Sequence, residues 1–143
     1  MSPPETALSD DAALRTLADY YEAFSTLGAQ AVWPYFHQPA LFISPQGVFA
    51  ATSHADLAAV FTPTMESLRA RGFTRSKLSV GSVKSLSASA KLVTGVAIRY
   101  RQEGQELDRA GVTYVLHNAE AGWRIAVIVL HDPQHTAPGE SSG

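Results

Sequence analysis

The spacing of apolar residues changes once along this chain, at Gly72, and that change limits the folds open to it. Before Gly72 the apolar positions recur at intervals of three and four: Ala13, Leu14, Leu17, Tyr20, Tyr21, Phe24 and Leu27, then Leu57, Val60, Phe61, Met65 and Leu68. That is the period of helices with one buried stripe. Beyond Gly72 the period falls to two over residues 73–86, 88–102, 105–118 and 122–132, joined by the short links "SAS", "EGQ" and "AEAG". Such alternation predicts four long strands, and links this short favour antiparallel neighbours.

Local signals fill in the first half. Ser9 or Asp10 can cap the first helix, and Gly28 ends it. A short second helix is predicted over 29–36, kinked or started by Pro34, whose missing N–H is tolerated only in a first turn. Residues 41–44 and 48–51 read as a hairpin around "PQGV", and Ser53-x-x-Asp56 starts a third helix in which Pro63 predicts a kink or break. Three helices followed by strands make an α+β arrangement, a curved antiparallel sheet with the helices on its concave face. A cone of this kind leaves room for a pocket between its layers.

With 143 residues the chain has the length of one domain, placed here at 9–132. Residues 1–8 and 133–143, with "MSPPET" and "TAPGESSG", carry too little apolar surface to offset the entropy of ordering them and are expected to be disordered. A net charge of −2 without cationic runs argues against nucleic acid as a partner. The absence of Cys removes thiolate nucleophiles and Cys-bound metal sites. No stretch approaches the ~18 apolar residues of a membrane span, and the N-terminus lacks the pattern of a secretory signal, so no membrane partner and a cytoplasmic location are expected.

Several residues are candidates for a site. Ser44, directly before Pro45, either closes a strand or stands beside the pocket with Phe42. Tyr20 and Phe24, four apart on the first helix, can both face the sheet. Trp33 lies in an aromatic run, with Tyr35, Phe36 and His37, at the expected rim. On the penultimate strand Thr113 and Val115 alternate with Tyr114 and Leu116. The first pair is assigned to the cavity and the second to an outer face that a second copy of the chain would cover. On the last strand His131 shares its parity with Ile125, Val127 and Val129, which places all four toward the cavity, and its imidazole is suited to acid or base work. Arg99, Tyr100 and Arg101, near a hairpin tip, read as a solvated edge. Pro133 interrupts "HDPQH", so no metal site is expected there, and nothing implies a cofactor.

The order of elements, with "F-x-x-P-A-x-x-x-x-P-x-G-V" from Phe36 to Val48 and the strands "GVTYVLHN" and "WRIAVIVLHDP", resembles the NTF2-like superfamily, in its SnoaL-like and ketosteroid-isomerase-like branches. The resemblance implies a cone fold, dimers and a pocket for a small molecule. In ketosteroid isomerase an Asp base faces an oxyanion site made by a Tyr and a protonated Asp. Aligned on Phe36, the Tyr falls on Tyr20, but the base position holds Ser44 and the second donor position holds Thr113; His131 stands where that enzyme has an aromatic residue. Three functions remain open: binding of a small, mainly apolar molecule by Tyr20, Phe24, Trp33, Phe42, Ser44, Thr113, Val115, Val127 and Val129; an isomerase, cyclase or dehydratase-type lyase using His131 and Tyr20; or a dimeric protein-interaction module.

Overall fold

The computed structural model describes residues 11–132; the expected tails and the caps proposed at Ser9 and Asp10 lie outside them. Helix α1 (Ala12–Phe24) begins at Asp11, whose carboxylate accepts a hydrogen bond from the Ala13 amide at 2.8 Å. Its buried stripe is Ala13, Leu17, Tyr20, Tyr21 and Phe24. Asp11, itself buried, also pairs with Lys91, whose ammonium lies over the Trp123 ring. The start of α1 is thereby tied to the sheet by a cap and an ion pair on one carboxylate.

Helix α2 (Ala29–Val32) is a single turn that tightens into a 3-10 turn over Trp33–Tyr35, and strand β1 (Phe36–Ser44) begins five residues earlier than its apolar run suggests. Phe36 is therefore a strand residue and does not close a helix. After β2 (Gly47–Ala51), Ser53 caps α3 (His54–Ala70) by accepting from the Asp56 amide, while the Asp56 carboxylate takes the Thr52 amide at 2.9 Å. That bond from Thr52 holds the Asp56 carboxyl below its usual range. The helix continues through Pro63 as one element and buries Leu57, Phe61, Met65 and Leu68.

Strands β3 (Phe73–Ser87), β4 (Ala90–Arg101), β5 (Glu106–Ala119) and β6 (Gly122–His131) follow as expected, within two residues at each end. The six strands form one sheet in the order β2-β1-β6-β5-β4-β3. It is mixed and not wholly antiparallel, because β1 runs parallel to β6. Close approach within the sheet needs glycine at Gly95, where a Cβ would lie 2.3 Å from the backbone oxygen of Ser79.

One register detail decides which side chains the helices cover. Val115 pairs with Val127 but Leu116 pairs with Ile125, so β6 carries one extra residue, Ala126, as a bulge. The bulge inverts the parity of everything after it. Ile125 and Ile128 face the helices, together with Val112, Tyr114 and Leu116 of β5, and all five are buried. Thr113, Val115, Val127, Val129 and His131 point to the opposite face, which no helix of the described residues covers. The assignment of these five to the cavity is corrected accordingly. So is that of Tyr114 and Leu116 to an outer interface, since both lie in the core of the monomer.

Among the core residues of helix α3, Leu57 is fully buried. Leu57→Ala should cost about 2–5 kcal/mol in urea unfolding, whereas Leu86→Ala, at a side chain 51% exposed, should change stability by less than about 0.5 kcal/mol.

Candidate functional site

Between α1, α3 and the concave face lies a chamber of about 110 Å³ lined by Tyr20, Tyr21 and Phe24 from α1, Val60, Phe61 and Thr64 from α3, Phe42 from β1, and Ser76, Ala97, Arg99, Val112, Tyr114, Ile128 and Leu130 from the remaining strands. The walls are mainly aromatic because the rings meet edge-on. Tyr20 stands at 88° to both Tyr21 and Phe36 with ring centres 5.3 Å away, and Phe61 touches Tyr20, Phe24, Phe36 and Phe42. Edge-to-face packing satisfies the ring quadrupoles but does not fill space as aliphatic interdigitation does. Toward the β1–β2 hairpin the chamber continues into an open cleft of about 300 Å³, sharing Phe42, Val60, Ile128 and Leu130 with it.

Polar groups in the chamber are few. The Tyr21 and Tyr114 hydroxyls share a hydrogen bond of 2.5 Å that joins α1 to β5. Burial raises the Tyr21 phenol to about 12, a rise that its bond to Tyr114 and the charge of Arg99 partly offset. Burial likewise raises Tyr20 and Tyr114 well above the ordinary range. The Tyr20 hydroxyl has no hydrogen-bond partner among the described residues, although its ring is deeply buried. Arg99 enters the chamber from β4 with its guanidinium over the Phe24 ring. Among the described residues no carboxylate or imidazole lines the chamber.

The candidate residues divide between this chamber and other places. Tyr20, Phe24 and Phe42 come together in it. Ser44 lines only the outer cleft, where its hydroxyl donates to Gln46 Oε1 at 3.0 Å and accepts from the Gln46 amide, closing the hairpin turn. Trp33 is stacked on His54 with ring centres 4.3 Å apart, away from the chamber, and its buried indole N–H has no partner among the described residues. On the open sheet face Thr94, Thr113 and His131 form a chain. The His131 Nδ1–H donates to the Asp132 carbonyl, Nε2 accepts from Thr113 at 2.9 Å, and Thr94 and Thr113 are 3.3 Å apart. Gly111 makes room for that imidazole, since a Cβ there would lie 2.6 Å from Nδ1.

Sequence reasoning missed Tyr21, Phe61, Val112, Ile128 and, above all, Arg99. Strand parity carried the signal for Arg99: it shares a face with the buried Val93 and with Ala97, which contradicts its reading as a solvated edge.

A profile described as NTF2-like protein (DUF6841) matches residues 10–133. The chain belongs to this NTF2-like family. Solved structures with the same fold include an NTF2-like protein of unknown function from Shewanella oneidensis, 22% identical, covering 87% of this chain and 99% of that one with a TM-score of 0.69. A ketosteroid isomerase-like protein from Erwinia carotovora is 17% identical over 84% of this chain and 92% of that one, TM-score 0.61. An NTF2-like protein from Novosphingobium aromaticivorans is 16% identical over 96% and 90%, TM-score 0.68. At these identities the likeness concerns the fold. No match was found among curated proteins.

The three phenols of this NTF2-like domain make distinct predictions. Tyr20→Phe removes a hydroxyl that no described residue bonds and should change stability by less than about 0.5 kcal/mol. Tyr21→Phe strands the Tyr114 hydroxyl and should cost about 1–3 kcal/mol. The folded state holds these protons more tightly than the unfolded chain, whose phenols titrate near 10.0. Their contribution is therefore complete below pH 10 and is lost as pH rises from there, for Tyr21 through about 12. Alkaline unfolding followed by tyrosinate absorbance should show phenol ionisation coinciding with loss of the fold.

Proposed function

We propose that the protein binds a small, mainly apolar organic molecule in the chamber and works as a homodimer. The observation that supports binding most directly is the lining itself, a mainly aromatic and apolar chamber in which the Tyr20 hydroxyl has no hydrogen-bond partner among the described residues and the Arg99 guanidinium lies over the Phe24 ring. The chamber and the outer cleft share Phe42, Val60, Ile128 and Leu130. A partly open, mainly apolar space with a few polar groups is the usual form of a ligand site.

The composition of the lining favours binding over proton-transfer catalysis. His131 and Tyr20 lie on opposite faces of the sheet, so an isomerase or lyase mechanism pairing them has no shared substrate position. The phenols, raised by burial, are poor bases and poor acids near neutrality. Held in place, they can still donate hydrogen bonds to a bound oxygen.

A second copy is the partner that best suits the open sheet face. Leu92, Val96, Val115, Val127 and Val129 stand there half-buried, around the Thr94–Thr113–His131 chain, with no helix of the described residues above them. A face of this kind needs a cover, and sheet-to-sheet pairing supplies one.

A thermal-shift screen against several hundred metabolites tests the first claim. A compound at 100 times its dissociation constant should add about 2.7 kcal/mol to folded stability, and Ala97→Leu, which fills the chamber, should abolish the effect. Hits that Ala97→Leu retains would refute the location. For the second claim, light scattering should find a dimer that Val115→Glu converts to a folded monomer; a monomeric wild type would refute it.

A further inference from the structure

We propose that the ligand is a small monoanion, a compact carboxylate whose apolar body occupies the chamber and whose charged oxygens bind the Arg99 guanidinium. The inference rests on the chamber being a binding site and adds the chemical class of its occupant.

Arg99 is the sole cation lining the chamber among the described residues, and its guanidinium, over the Phe24 ring, is held there by no hydrogen bond. It donates no hydrogen bond within 3.5 Å to any described residue. Its nearest carboxylate is Asp108, 3.8 Å from Nη1, and that carboxylate already accepts from Arg71 at 2.9 Å. Two arginines thus share one acid, leaving one positive charge uncompensated. Arg71 and Arg99, with Thr64 and Ser67, also line an adjoining recess that meets the chamber at Thr64 and Arg99. The Arg99 side chain is only 26% exposed, so water screens it less than an ordinary surface arginine. An arginine at this depth, with its donors free, matches the planar acceptor pair of a carboxylate.

The remaining walls set the size and shape. A chamber of about 110 Å³ is somewhat smaller than the ~150 Å³ apolar cavities that take up benzene, so the body is a single ring or a short branched chain. The Tyr20 hydroxyl supplies one further donor, for a carbonyl or a carboxylate oxygen. Arg99 already lowers the pKa values of Tyr20, Tyr21 and Tyr114 against the effect of burial, evidence that its charge is felt throughout the chamber.

The test compares anions with neutral molecules of the same shape: benzoate against benzamide, and isobutyrate against isobutyramide, titrated into isotope-labelled full-length protein with amide chemical shifts as readout. At least one acid should bind about tenfold more tightly than its amide, with shifts centred on residues lining the chamber. Arg99→Met should remove that preference and Arg99→Lys should restore part of it, each variant keeping the wild-type pattern elsewhere in the spectrum. An acid and its amide binding equally would overturn the anionic class and leave the binding site standing. If neither pair binds in the chamber, the binding reading fails and this inference fails with it.

Discussion

The cluster of rings between α1, α3 and the concave sheet sets the spacing on which everything else depends. Tyr20, Phe24, Phe36, Phe61 and Tyr114 meet at steep angles with ring centres 5.3 to 6.4 Å apart. Rings packed edge-on hold two helices away from a curved sheet without filling the gap between them. The same contacts therefore stabilise the domain and create its chamber. Leucines at these positions would interdigitate and close the space.

The polar contacts that fasten this layer lie at its margins. Asp11 caps α1 and pairs with Lys91 on β4; the Tyr21–Tyr114 bond pins the middle of the helix; and at its end the Ser76 amide donates to Ser25 Oγ at 3.0 Å. With α1 held at three points along its length, the Tyr20 hydroxyl is free of structural duty. That division of labour between neighbouring tyrosines on one helix gives the chamber both rigidity and a donor.

Much of the fold was legible because it is written in periodicity. The stripes of α1 and α3 and the alternation of β3 to β6 are strong local signals, and they place the elements within a few residues. The site was less legible because one bulge at Ala126 reverses the face of every later residue on β6, and no apolar pattern marks it: Ile125, Val127 and Val129 look like one alternating face. His131 was drawn to the wrong side by the same error; on β5, where alternation does not say which face is inner, the alignment with ketosteroid isomerase gave Thr113 and Val115 to the cavity and Tyr114 and Leu116 to the outside. Tyr20 and Phe24 line the chamber because helix spacing puts them on one buried stripe, and Phe42 joins them from β1. Arg99 was misread because charge near a hairpin tip was weighed above strand parity.

Solved structures with the same fold share only 16–22% identity with this chain, so its chemistry has to be read from the lining of its own cone. Here that lining is mainly apolar, with three tyrosines, Thr64, Ser76 and Arg99 as its polar residues and without a carboxylate base among the described residues. The most direct measurement is a crystal of the protein pressurised with xenon. Density for xenon between Phe61, Val112 and Ile128 is the result expected of an accessible apolar chamber. An undecorated core, with xenon absent there and those side chains in mutual contact, would contradict the account.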